Sequence, residues 1–426
     1  MSAPGDRVQQ RCSPVARANP ARLVAGVSLV ELMVALAVGA VVVLGLTELL
    51  TRANASYARE EAFARLQENG RVASTLLAKA MRPTRSTDCK NLAMHEAQGT
   101  LTVKACDLLA DGCALGEDDY LSIHGALGYD QGADLTKAAR FTNLPAAVAA
   151  NVADRYVGGD VFVAWGIDPR GAAVTNGLGD DGTAPIALAS AIDLHAGDLA
   201  LISNCLYAHV FAVSEPEAGP TTTLSHDGAM NAVTHLRVDA TYAGAAPYNR
   251  EPDAPRTMVY PLLYRIFYVC CVHDGTVQAG AGRDNCRPSA SGEGMPEGYR
   301  PALCVYDRGR GDGSSQVLVP NVADLRLTYS GDENADGVLD YHGSSAISVA
   351  AQGQWASVRS VAVELLLTTE DAHSAREPSA PTQSDWPPNE NPKDRLGAGY
   401  PPDTRLYQRF RFDVALRAAT PWALWE

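Results

Sequence analysis

An apolar segment near the start of the chain constrains the fold more than any other feature. Residues 27–50 are mostly apolar, and Glu31 and Glu48 are the only charged residues among them. Because an α-helix rises 1.5 Å per residue, about 24 such residues cross the hydrocarbon layer of a membrane, which is roughly 30 Å thick. A carboxylate at the centre of that layer costs roughly 2.5–3.5 kcal/mol. Glu31 therefore needs either a position at the wet interface or a partner for its charge.

The charge distribution sets the expected orientation of this segment. The 26 residues before it carry a net charge of +3, from Arg7, Arg11, Arg17 and Arg22 against Asp6, in a chain of net charge −14. Basic residues before a membrane segment keep the N-terminus in the cytoplasm, so the remainder is expected on the other side of the inner membrane. The acidic balance and the lack of a basic cluster predict no nucleic-acid partner.

The helical pattern continues beyond the apolar segment. Between residues 51 and 82 apolar side chains recur at helical spacing, and Pro83 ends the pattern. The members of this stripe are Phe63, Leu66, Ala73, Leu76, Leu77 and Ala80. The sequence predicts one helix over 27–83, with 27–50 in lipid or in a filament core and the second half covering a sheet.

The rest of the chain, 84–426, is predicted to be a β-rich head. Several runs alternate apolar and polar residues, which is typical of half-buried antiparallel strands. The predicted strands are 160–167, 197–205, 208–214, 262–272, 325–330, 358–369 and 405–417. Residues 373–404 contain seven prolines and are predicted to form a long exposed loop. The fold class is therefore α+β, with one long N-terminal helix packed on a mainly antiparallel sheet.

The cysteine content indicates an oxidising compartment. Of nine cysteines, Cys12 precedes the apolar segment, which leaves eight for up to four disulfides in an exported head. Cys106 and Cys113 are predicted to close a small loop. The pairing of a second group stays open, because eight cysteines allow 105 connectivities. That group is Cys270, Cys271, Cys286 and Cys304, and its spacing does not match a zinc site.

An acidic loop at residues 332–340 has the spacing of a calcium-binding loop. Side-chain oxygens recur at alternate positions, and Gly337 permits a sharp turn. The predicted ligands are Asp332, Asn334, Asp336, the carbonyl of Val338, and Asp340. The twelfth position is Gly343, where an EF-hand has a bidentate glutamate, so the match is incomplete. The alternative is an acidic hairpin between two strands, rich in turn-forming residues.

Motifs of catalysis do not support an enzyme. Residues 177–182 satisfy the GxGxxG pattern, but no clear strand precedes them and their aspartates would repel phosphate. The sequence has neither HExxH nor GxSxG, and its nine histidines are scattered. No catalytic residue is therefore predicted.

The start of the apolar segment resembles the type IV prepilin class. The matching residues are Gly26 followed by Val-Ser-Leu-Val-Glu-Leu-Met, residues 27–33. The resemblance implies cleavage after Gly26 by a prepilin peptidase and methylation of the new N-terminus at Val27. Phenylalanine is commoner than valine at that place. Glu31 falls on the glutamate of this class, where it would neutralise the N-terminal amine of a neighbouring subunit. The alternative is a glutamate at the start of a helix, satisfied by the helix N-terminus.

A second resemblance, to the PilW family of minor pilins, covers most of the chain. Its clearest motif is Leu-Gln-Glu-Asn-Gly-Arg at 66–71, and further matching segments are 197–205, 208–213, 319–341, 357–369 and 410–417. It implies a low-abundance pilin that joins other minor pilins and the major pilin, primes pilus assembly and sits at the tip, often with a PilY-type adhesin. The head would lie in the periplasm before assembly and outside the cell afterwards. The resemblance also favours a Cys89–Cys205 disulfide.

Other functions share parts of this pattern. A minor pseudopilin of a type II secretion system has the same N-terminal motif. A membrane-anchored periplasmic enzyme or binding module would keep an uncleaved N-terminus. A tip adhesin that binds a surface ligand through the 373–404 loop is compatible with the minor-pilin hypothesis.

Overall fold

The structure is a computed structural model that describes the greater part of the predicted helix and much of the head. The described residues are 28–82, 126–130, 151–152, 154–176, 178, 183–203, 208–216, 219–226, 231, 256–286, 295–307, 315–334, 336–352, 354–369 and 407–416. The chain divides into two compact units, Met1–Tyr57 and Ala58–Glu426. The predicted leader 1–26, the start of the head and the 373–404 loop lie outside the described residues and stay predictions.

One long helix, α1, spans Leu29–Met81. It confirms the predicted helix to within two residues at each end, which is the usual uncertainty of such boundaries. Pro83 follows directly after the last described turn, where a proline cannot continue the helical hydrogen bonds. A second helix, α2, is short and spans Ala346–Ala351.

Most of the other described elements are strands, numbered here in chain order. They are β1 (Ala126–Tyr129), β2 (Tyr156–Ile167), β3 (Ala172–Ala173), β4 (Ile186–Ile192), β5 (Leu199–Ser203), β6 (Ala208–Ala212), β7 (Thr221–Leu224), β8 (Met258–His273), β9 (Thr276–Val277), β10 (Tyr299–Asp307), β11 (Ser315–Pro320), β12 (Val322–Gly331), β13 (Tyr341–Ser344), β14 (Val358–Thr368) and β15 (Tyr407–Ala415). All seven predicted strands are present, with shifted ends.

The described strands form three antiparallel sheets. The largest has nine strands around the order β1-β2-β8-β10-β11, and the long strand β8 also pairs with β3, β5 and β9. The second has four strands in the order β13-β12-β14-β15, and the third is the pair β4-β7. The fold is therefore α+β with antiparallel sheets, as the alternating patterns predict.

The main core lies where α1, the nine-stranded sheet and the four-stranded sheet meet within the second unit. It contains apolar residues of β2, β8, β10, β12 and β14 together with four residues of α1. A hydrogen bond also links the two sheets, since the buried carboxylate of Asp160 on β2 accepts the amide of Leu327 on β12 at 2.8 Å. A separate small core is built mainly from β3–β7 and includes Phe211 and Ile202.

Candidate functional site

The first turn of α1 is closed by a reciprocal pair of hydrogen bonds. The Glu31 carboxylate accepts the backbone amide of Ser28 at 3.0 Å, and the Ser28 hydroxyl accepts the amides of Val30 and Glu31 at 3.2 and 3.4 Å. This arrangement is a capping box, in which both side chains satisfy amides that have no partner inside the helix. Glu31 thus has a partner within its own first turn. Its pairing with the amine of a neighbouring subunit stays a prediction. Gly26 and Val27 lie outside the described residues.

The first half of α1 exposes its apolar side chains. Leu29, Val41 and Leu44 are 74%, 70% and 69% exposed. Within the described part of the chain, α1 is the single helix long and apolar enough to cross a membrane, judged by length and composition alone. Exposure of so much contiguous apolar surface is unfavourable in water, so this segment needs a lipid or protein environment.

The second half of α1 buries one narrow stripe against the head. The buried residues are Leu66, Gly70, Ala73, Leu77 and Met81, spaced three or four apart. Leu66, Ala73 and Leu77 were predicted for this stripe, whereas Gly70 and Met81 were not. Phe63 was predicted in the stripe and is 37% exposed. Its ring instead lies 6.0 Å from the Arg59 guanidinium.

The buried glycine of α1 admits an aromatic ring from the last strand. A Cβ atom placed on Gly70 would lie only 2.6 Å from Cζ of Phe410 on β15. Real carbon contacts are about 3.5–4.0 Å, so the helix and the strand approach this closely because position 70 has no side chain. Gly70 belongs to the 66–71 motif, and Phe410 opens the last segment that resembles the PilW family.

Two disulfides tie adjacent cysteines of β8 to different partners. Cys270 bonds to Cys304 on the neighbouring strand β10, and Cys271 bonds to Cys286 in the 3₁₀ helix Gly280–Cys286. All four sulfur-bearing residues are buried. The open pairing of these four cysteines is thereby assigned. The predicted Cys89–Cys205 and Cys106–Cys113 pairs lie outside the described residues.

The acidic loop connects β12 to β13. The amide of Asp340 donates to the Gly331 carbonyl at 2.8 Å, and the amide of Asp332 donates to the Ser357 carbonyl at 2.9 Å. The loop is therefore a hairpin connection closed at its base, and its second strand, β13, was not predicted. Gly337 has φ +84°, the left-handed conformation for which glycine is favoured.

Four of the five predicted calcium ligands turn their side chains onto backbone amides of the loop. Asp332 Oδ2 accepts from Gly337 at 3.1 Å, Asn334 Oδ1 from Asp336 at 3.0 Å and Asp336 Oδ1 from Val338 at 2.7 Å. Asp340 Oδ2 accepts from Glu333 at 2.5 Å. Across the residues that the structure describes, no three His, Cys, Asp or Glu side chains are grouped closely enough to hold a metal ion.

Comparisons with known proteins identify the C-terminal part of the head. Residues 289–418 match the family model described as type IV pilus-assembly protein W, which confirms the resemblance to PilW over this part of the chain. The match covers less than half of the chain and does not include the prepilin motif. No curated protein matches the chain. Among solved structures, a type IV-like pilin from Thermus thermophilus is 14% identical, over 37% of this chain and 80% of that chain, with a TM-score of 0.17.

Proposed function

We propose that this protein is a minor pilin of a type IV pilus, built into the filament through α1. The observation that carries the proposal is the match of residues 289–418 to the family of type IV pilus-assembly protein W. These residues include β15, whose Phe410 packs on α1 at Gly70. The family segment and the second half of α1 are therefore packed together within the second unit.

The first half of α1 supports the proposal by its chemistry. It has the length and composition of a membrane anchor, and its apolar side chains are exposed. A filament core made of packed helices offers the same apolar environment as lipid, so one segment serves before and after assembly. The protein would begin as a single-pass inner-membrane protein with its head in the periplasm.

Processing is the next part of the proposal. A prepilin peptidase would cleave between Gly26 and Val27 and methylate the amine of Val27. The new ammonium would then meet Glu31 of a neighbouring subunit, and two isolated charges in an apolar layer would become one pair. Its partners would be the major pilin and other minor pilins in a complex that primes assembly at the tip, with a PilY-type adhesin as a further candidate. The role is structural, without a catalytic step.

The test is the N-terminal peptide of the protein, measured by mass spectrometry after expression with and without a prepilin peptidase. We expect a peptide that starts at N-methylated Val27 with the peptidase and an uncleaved chain without it. Deletion of the gene should then reduce surface pili, and the wild-type gene should restore them. An uncleaved N-terminus beside an active peptidase would overturn the proposal and favour the membrane-anchored enzyme or binding module.

The secretion-system alternative requires a separate readout. A pseudopilin is processed in the same way, so cleavage at Gly26 does not distinguish the two. Loss of surface pili with normal protein secretion in the deletion strain is expected for a pilus subunit. Loss of secretion with normal pili would instead assign the protein to a type II secretion system.

A further inference from the structure

We propose that the acidic loop Asp332–Asp340 binds a calcium ion through the buried carboxylate of Asp332. The inference rests on the loop itself and is independent of the proposed role in a pilus. The spacing of the candidate ligands is visible in the sequence. The structure adds the environment of the Asp332 side chain, which the sequence does not contain.

Asp332 is buried, and one of its two carboxylate oxygens accepts no hydrogen bond from the residues that the structure describes. The residue is 3% exposed. Its Oδ2 accepts the amide of Gly337, at the centre of the loop, so the carboxylate faces the loop interior. Its Oδ1 is buried and has no hydrogen-bond partner among the described residues. Burying a charged oxygen without a partner is costly, and this oxygen is the one that a cation would satisfy.

Arg359 forms an ion pair with the other oxygen of this carboxylate. The Nε atom of Arg359 lies 3.8 Å from Asp332 Oδ2, which is too long for a hydrogen bond. Four carboxylates, those of Asp332, Glu333, Asp336 and Asp340, lie within nine residues. The loop therefore keeps a strong negative charge that a divalent ion would neutralise.

The remaining candidate ligands lie on the exposed side of the loop. Asn334, Asp336 and Asp340 are exposed, so an ion has access from solvent. Their hydrogen bonds to backbone amides keep the side chains folded over the loop, and each carboxylate retains a second oxygen for a cation. Because the three aspartates are not yet grouped around one point, binding requires rotation of the exposed Asp336 and Asp340 side chains toward Asp332.

The donor set selects calcium over other ions. All five candidate ligands are oxygens, and the loop offers neither sulfur nor imidazole, which zinc and copper prefer. Calcium accepts six to eight oxygens in flexible geometry, whereas magnesium demands a near-ideal octahedron. Gly343 replaces the bidentate glutamate of an EF-hand, so water must complete the shell. We expect a dissociation constant of about 10⁻⁴–10⁻³ M, the range of extracellular calcium modules.

The test uses the full chain in detergent, stripped with EGTA and then titrated with calcium chloride. At about 100 times the dissociation constant, the melting temperature of the head should rise by about 2–5 °C. Magnesium chloride at the same concentration should have a clearly smaller effect. Calorimetric titration gives the dissociation constant directly. Absence of both a thermal shift and a binding heat in the wild-type protein would overturn the proposal.

Two matched variants assign the site. Asp336→Asn keeps the side-chain oxygen that accepts the Val338 amide but removes the negative charge, and it should raise the dissociation constant at least tenfold. Glu333→Gln removes one negative charge from the same loop at an exposed position between two ligands, and it should leave the constant within about twofold. Circular dichroism verifies that both variants fold. Equal calcium affinity of Asp336→Asn and the wild type would refute this site.

Discussion

Gly70 on α1 lies directly against the aromatic ring of Phe410 on β15, at the far end of the chain. A side-chain carbon at position 70 would lie 2.6 Å from Cζ of that ring. Phe410 belongs to the edge strand of the four-stranded sheet, where it is half-buried and pairs with Leu365 of β14. The glycine thus sets the distance between the helix and the segment that matches the pilus-assembly family.

Gly70→Ala should destabilise the head. Overpacking of a core costs about 1–3 kcal/mol, while alanine gains up to about 1 kcal/mol over glycine in a helix, so we expect a net loss of about 1 kcal/mol in the free energy of unfolding. Chemical unfolding in detergent measures it. Gly45→Ala is the matched control, because no atom lies within 4 Å of its Cβ position. If the loss arises from the ring, Gly70→Ala should be harmless in a Phe410→Leu background.

Although Cys270 and Cys271 are adjacent, each should form a disulfide with only one partner. Removing a bridge between residues 34 apart, as for Cys270–Cys304, should cost about 4 kcal/mol, and removing Cys271–Cys286, 15 apart, about 3 kcal/mol in the chain-entropy description. The assigned pairing can be tested separately by counting free thiols. The joint variant Cys270→Ala/Cys304→Ala should add no free thiol relative to the wild type. The mismatched variant Cys270→Ala/Cys286→Ala should add two, counted with a thiol reagent after unfolding. Equal thiol counts in the two variants would contradict the assigned pairing.

The sequence predicts those helices and strands that have a recognisable pattern of apolar and polar side chains. The apolar run and Pro83 define α1, and the alternation of apolar and polar residues defines β15. β10 was missed because it is buried along most of its length and contains Pro301, so it neither alternates nor looks like a strand interior. Gly70 was missed because the stripe was identified from its apolar side chains. Glycine has no side chain, so it does not appear in such a pattern.

Pairing and partner identity depend on three-dimensional register, which the sequence does not contain. Neighbouring residues of a strand face opposite sides, so Cys270 and Cys271 cannot share one partner region. The register of β8 and β10 places Ala302 opposite Cys270 and Tyr268 opposite Cys304, which leaves Cys271 for the 3₁₀ helix on the other side. The spacing of the candidate calcium ligands in the acidic loop could likewise be predicted from the sequence, whereas the burial of Asp332 could not.

The head should lose stability at high pH because of Tyr268. Burial raises the pKa of this phenol to about 12, against the opposing effect of its hydrogen bond with Ser315 Oγ. The unfolded chain releases the same proton at about pH 10, so the stability that depends on the protonated form is complete below pH 10 and is lost as the pH rises toward 12. Two pK units correspond to about 3 kcal/mol.

Urea unfolding at a series of pH values measures this alkaline loss. Tyr268→Phe should lower the free energy of unfolding at neutral pH, because the hydrogen bond to Ser315 is gone, but should flatten its decline between pH 10 and 12. Tyr57→Phe is the control, since Tyr57 is 71% exposed on α1. An unchanged slope in Tyr268→Phe would assign the alkaline loss to other groups.

Glu31→Gln should spare processing and impair incorporation into filaments. Glutamine retains an oxygen for the Ser28 amide, so the capping box that closes α1 persists, while the charge that would pair with a neighbouring amine is lost. A hydrogen bond to a charged group is worth about 1.5–3 kcal/mol, which predicts a loss of about tenfold or more in the pilus-bound fraction. That fraction is measured by immunoblot of sheared pili against whole cells.

Glu48→Gln is the matched control in the same exposed apolar half, where the carboxylate pairs with Arg52 one turn later. Incorporation of Glu31→Gln at the level of Glu48→Gln would leave the capping box as the whole role of Glu31.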